Sequence, residues 1–129
     1  MSTLDTNIVL RWLLADVPEQ TAAAEALLAG GTRCVVPDVT LVETVFVLER
    51  VMRLTRPTVV QAVETVLAIA DVEVDRGLWH AALVDYLAYP KLSIADTYLA
   101  ALATASGRLP LYTFDRKLAN QLGAAQLLR

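Results

Sequence analysis

A chain of 129 residues, 56% apolar and 19% charged, is long enough to bury a core as one domain without disulfide staples, and its composition excludes a disordered chain. Mean hydropathy is high at +0.49, but no charge-free run is longer than Thr97 to Gly107, far short of the ~20 residues a spanning helix needs, which excludes a helical membrane span. The formal charge of −3 excludes a binder that holds nucleic acid by nonspecific electrostatics alone.

The chain alternates short apolar runs with longer helical ones. Ser2 to Leu4 reads as a first strand, followed by a helix through Ile8 and Trp12. Pro18 opens an alanine-rich helix that Gly30-Gly31 ends. Arg33 to Val36 is a strand bounded by Pro37, and a long helix then runs from about Asp38 to Arg53 with Leu41, Val45, Leu48 and Met52 on one stripe. Thr55-Arg56-Pro57 starts another helix, to about Ile69. Val72 to Val74 is a brief strand, and a helix follows from Asp75 or Arg76 to Ala88. Ser93 to Ser106 carries little polar face and is expected to be a largely buried helix stopped by Gly107. Leu109 to Tyr112 is a strand, Asp115 to Leu122 a short helix, and Gln126 to Leu128 a last strand. Strands and helices in this alternation predict one α/β domain over residues 1–129, with a mostly parallel sheet covered on both faces.

The remaining bulk features set the compartment. Cys34 is the only cysteine, which excludes an internal disulfide and fits a reducing cytosol; within Cys34-Val35-Val36 it reads as buried core. Asp5 comes so soon after Met1 that no signal peptide is expected, and the predicted location is cytoplasmic. Surplus apolar surface is assigned to a subunit or partner interface.

Four acidic residues sit alone in otherwise apolar or turn-like surroundings: Asp5, Glu43, Asp96 and Asp115. In a parallel α/β fold, strand C-termini and helix N-termini share the edge where sites form. Asp5 follows the first strand, Asp115 follows the Leu109 to Tyr112 strand after Thr113-Phe114, and Glu43 and Asp96 lie in the opening turns of helices. All four are therefore expected to face one cleft. Each also has a plainer reading: Thr40-x-x-Glu43 and Ser93-x-x-Asp96 have capping-box spacing, and Asp5 and Asp115 suit helix caps. Four clustered anions, however, repel one another and call for a cation. Oxygen donors without cysteine or histidine select Mg²⁺ or Mn²⁺ over zinc. Setting these four aside leaves the rest of the chain slightly positive, so RNA is not excluded by the acidic pI. His80, the one histidine, has no partner in view and is read as structural. No Walker or Gly-x-Gly-x-x-Gly pattern calls for a nucleotide cofactor.

With those residues placed, the chain resembles the PIN-domain family, most closely its VapC-like toxins. The matching stretches are Leu4-Asp5-Thr6-Asn7; Val36-Pro37-Asp38 leading to Leu41-Val42-Glu43 and Val47-Leu48-Glu49-Arg50; Ser93-Ile94-Ala95-Asp96 followed by Leu99-Ala100-Ala101-Leu102-Ala103; and Tyr112-Thr113-Phe114-Asp115-Arg116-Lys117-Leu118. The resemblance implies a three-layer α/β/α fold around a four- to five-stranded parallel sheet, with the first strand central. It implies a Mg²⁺- or Mn²⁺-dependent endoribonuclease in which Asp5, Glu43, Asp96 and Asp115 form the metal set. Thr113 falls where such domains carry a hydroxyl supporting the site, and Thr6 and Asn7 match the segment that orients the first aspartate. It also implies a small VapB-like antitoxin as partner, with a homodimer or a dimer of toxin–antitoxin heterodimers. Expected RNA contacts are Asn7, Arg116, Lys117 and Arg11, whereas Arg50, Arg53 and Arg56 read as a helical solvent or partner stripe. The alternatives are a PIN nuclease of RNA maturation, a DNA-directed nuclease, and a catalytically silent antitoxin-pairing module.

Overall fold

Short segments before, between and after the helices become strands, and every strand pairing is parallel. The computed structural model describes all 129 residues, which divide into two units, Met1–Val74 and Asp75–Arg129.

In the first unit, β1 (Ser2–Thr3), β2 (Cys34–Val35) and β3 (Val72–Glu73) pair in the order β1-β2-β3. Ser2 lies opposite Cys34 and Val35 opposite Glu73. Parallel neighbours need long crossovers, and each crossover here carries two helices: α1 (Thr6–Leu14) and α2 (Pro18–Ala29), then α3 (Asp38–Phe46) and α4 (Arg56–Leu67). The resemblance implied a central first strand; in this three-stranded sheet the central strand is β2.

The long helix expected to reach Arg53 loses its α geometry after Phe46. A π turn over Val47–Val51 follows, with the Met52 N–H bonded to the Val47 carbonyl at 2.9 Å. Leu41, Val45 and Leu48 are buried as the stripe requires, but Met52 is 44% exposed, because the wider turn carries it off the stripe. Arg53 then takes a left-handed φ of 56°, which breaks the expected arginine stripe. Arg56 pairs with Glu49 at 3.6 Å, and the Arg50 guanidinium lies 5.4 Å from the centre of the Phe46 ring. Val36, Leu41, Val45, Leu48, Val59, Val63 and Val66 are buried in this unit, each adding ~1.5–3 kcal/mol of transfer free energy. Cys34 is fully buried, as its apolar surroundings predicted.

The second unit holds α5 (Arg76–Ala88), α6 (Ile94–Ala105), β4 (Leu111–Thr113), α7 (Arg116–Gln121) and β5 (Ala125–Leu127). β4 and β5 pair in parallel, with Leu111 opposite Ala125 and Thr113 opposite Leu127. The strands thus number five, paired as a set of three and a set of two. Leu92, Ala100, Leu118, Leu122 and Ala125 form a core cluster, and Trp79 stacks on Tyr98 with ring centres 5.0 Å apart. His80, next to fully buried Trp79, is exposed on the other side of α5.

Two expectations for this unit are corrected. α6 is not largely buried: it packs through Ile94, Thr97, Ala100 and Ala103, leaving Leu99 and Leu102 46% and 37% exposed. β4 starts at Leu111 rather than Leu109, since Pro110 has no N–H to give a ladder, whereas Leu111 donates to the Ala124 carbonyl at 2.8 Å.

Candidate functional site

In the first unit the chain leaves β1 through Leu4, whose N–H donates to the Val35 carbonyl at 2.9 Å. Asp5 follows as the N-cap of α1. Its backbone is extended, and its Oδ1 accepts the Ile8 N–H at 3.0 Å. Two side-chain bonds tie this turn to α3. The Thr40 hydroxyl donates to the Leu4 carbonyl at 3.1 Å, and the Thr6 hydroxyl donates to Glu43 Oε2 at 3.0 Å. Thr40 and Glu43 are three apart on one helix and therefore share a face. Asp5 is bracketed by residues bonded to that face. The capping box expected for Thr40 and Glu43 does not form, because α3 begins three residues earlier, at Pro37-Asp38, with no side-chain cap. Glu43 is instead held by a residue 37 positions away.

In the second unit the expected capping box does form. Ser93 Oγ accepts the Asp96 N–H, and Asp96 Oδ2 accepts the Ser93 N–H, both at 3.2 Å. Asp115 follows β4 after Phe114. Its Oδ1 accepts the N–H groups of Lys117 at 2.8 Å and Leu118 at 3.3 Å, capping α7. The Thr113 hydroxyl accepts the Asp115 N–H at 2.9 Å and so holds the backbone of this aspartate.

The capping and metal readings thus prove compatible. Each of the four carboxylates has one oxygen fixed by a nearby donor and one with no protein partner, and none pairs with a cation. Preoriented, uncompensated oxygen donors fit a hard divalent cation. No group of three or more histidine, cysteine or acidic side chains is gathered so that it could hold a metal ion. Mg²⁺ needs none, since it retains several waters and is commonly held by one or two carboxylates with substrate phosphate.

Among the cations, Arg116 and Lys117 are exposed directly beside Asp115, and Asn7 is exposed beside the Asp5 turn. Arg11 is not free for RNA: it pairs with Asp16 at 3.2 Å. Thr40 is the residue whose part was misread, because the spacing that suggested a cap concealed a tertiary bond.

The family model for the PIN domain matches residues 3–121. The chain belongs to the PIN-domain family. Members of this family share a nuclease-type fold and are generally metal-dependent nucleases. In this PIN domain the matched segment includes all four acids, Thr40 and Thr113. A comparison with curated proteins finds no match. No helix is long and apolar enough to cross a membrane.

Proposed function

We propose that this PIN domain is a Mg²⁺- or Mn²⁺-dependent endoribonuclease, the cytoplasmic toxin of a VapBC-type toxin–antitoxin pair. The observation that carries the reading is the common state of Asp5, Glu43, Asp96 and Asp115. Each has one oxygen oriented by a protein donor, local for Asp5, Asp96 and Asp115 and from Thr6 for Glu43, and each keeps the other oxygen without a protein partner. We assign all four to metal binding within a single domain spanning 1–129. Support comes from the family match, which crosses from the first unit into the second without interruption.

Asp5 and Asp96 would hold the principal cation, with Glu43 and Asp115 acting directly or through water. When bound, the ion supplies a water activated for attack and offsets charge on the phosphate. The chain's own residues do the rest. Thr6 aims Glu43, Thr113 fixes the backbone of Asp115, and exposed Arg116, Lys117 and Asn7 would hold RNA phosphates and sugars. In-line hydrolysis would leave a 5′-phosphate and a 3′-hydroxyl.

A VapB-like antitoxin and a dimeric assembly are part of the same proposal. Val39, Phe46, Val51 and Met52, all exposed along α3 and its π turn, support a protein-binding face. The test is cleavage of total RNA in vitro with Mg²⁺, Mn²⁺ or a chelator, followed by end mapping. Metal-dependent cuts with 5′-phosphate ends, absent from Asp5→Ala, are expected. Cleavage that persists in chelator or in Asp5→Ala would reject the assignment.

A further inference from the structure

We propose that Thr40 is a positioning residue for Asp5, an inference that rests on the nuclease reading above. Leu4 and Asp5 form the joint between β1 and α1, where neither sheet nor helix holds the Leu4 carbonyl. Leu4 is buried, and the donor to that carbonyl is the buried Thr40 hydroxyl at 3.1 Å. On the other side, the Leu4 N–H is fixed to Val35 at 2.9 Å. Both peptide groups next to Leu4 are therefore pinned, and the peptide that leads into Asp5 has its orientation set by Thr40. One residue on, Asp5 turns its Oδ1 to the Ile8 N–H. The Thr40 carbonyl is itself engaged, accepting the hydroxyl of fully buried Thr44 at 2.7 Å. Thr40 sits one helical turn before Glu43 and so ties the Asp5 turn to the helix that carries the second acid. Removing its hydroxyl leaves a buried carbonyl unsatisfied and frees the Leu4–Asp5 peptide to rotate.

The experiment compares wild type with Thr40→Val, Thr40→Ser, Thr40→Cys and Thr44→Val. The first readout is the Ile8 amide resonance in metal-free protein, which reports the Asp5 cap bond. The second is Mn²⁺ affinity by electron paramagnetic resonance, and the third is kcat against KM on RNA. In Thr40→Val we expect a shifted Ile8 amide, Mn²⁺ affinity and kcat both lower by ~10–100-fold, and KM nearly unchanged. Thr40→Ser, which keeps the donor, restores all three, and Thr40→Cys, a weak donor that keeps the size, falls between. Thr44→Val loses a buried hydroxyl from the same helix and leaves the Ile8 amide in place. An unmoved Ile8 amide in Thr40→Val and Thr40→Cys overturns the proposal, as does a Thr40→Ser variant that fails to recover. Wild-type protein that neither binds Mn²⁺ nor cleaves RNA would sink the nuclease reading instead, while the Ile8 amide still decides the role of Thr40.

Discussion

The two units hold their acids in different ways. Asp96 and Asp115 are fixed by donors within three residues, each as part of a helix start. Glu43 is fixed by Thr6 from another element, and the Asp5 turn is tied to the same helix by Thr40. In the second unit, then, the side chains that cap helices are also the proposed metal ligands, so a substitution there is expected to disturb both. In the first unit Asp5 likewise caps α1, and only at Glu43 are the two tasks separated. Glu43 caps nothing, and the bonds that hold the Asp5–Glu43 pair come from threonines whose loss leaves the carboxylates in place.

The largest expected effects are on activity, where the units should behave alike. Asp5→Ala and Asp96→Asn should each reduce RNA cleavage by at least ~100-fold in initial-rate assays, as loss of a metal ligand exceeds the cost of losing its support. Asp96→Asn should melt within a degree or two of wild type, because asparagine can still accept the Ser93 N–H. A large residual activity in one unit's variant alone would confine the metal to the other unit.

Next in size is Thr6→Val, which frees Glu43 without removing its charge. Cleavage should fall ~10-fold, with chemical denaturation showing a loss of no more than ~1.5 kcal/mol. A loss of stability without a loss of rate would make the Thr6–Glu43 bond merely structural.

Stability should then separate Glu43 from the acids that cap helices. Asp115→Ala removes the acceptor for two N–H groups and should cost ~0.5–2 kcal/mol in urea titrations. Glu43→Ala, exposed and capping nothing, should stay within ~0.5 kcal/mol of wild type. Equal costs would erase the contrast between them.

The smallest effects belong to the exposed cations. Arg116→Ala and Lys117→Ala should raise KM for RNA a few-fold and lower the salt dependence of binding, by a slope of ~0.7 per charge. An unchanged salt slope would remove them from the RNA path.

What the sequence revealed followed the range of the interactions involved. Asp5, Asp115 and the Ser93–Asp96 box could be read directly, because a cap and its donors lie within three residues. Pro18, Gly30-Gly31 and the β-branched runs likewise placed α2, β2 and β3 to within a residue or two. The π turn over Val47–Val51 was hidden, since Val47-Leu48-Glu49-Arg50 suits an ordinary helix and the wider turn shows only as a displaced Met52. The tie from Thr40 to Leu4 was hidden for a different reason. Thr40-x-x-Glu43 satisfies a local capping pattern, and no local pattern could reveal an acceptor 36 residues away. The exposure of Leu99 and Leu102 was missed because an apolar helix does not announce which of its faces is covered.

The most direct measurement is an anomalous difference map from a crystal soaked in Mn²⁺. The account predicts a peak bonded to carboxylate oxygens of Asp5 and Asp96, with Glu43 and Asp115 reaching it directly or through water. A map with no peak at any of these carboxylates, from protein that binds Mn²⁺ elsewhere or not at all, would contradict it.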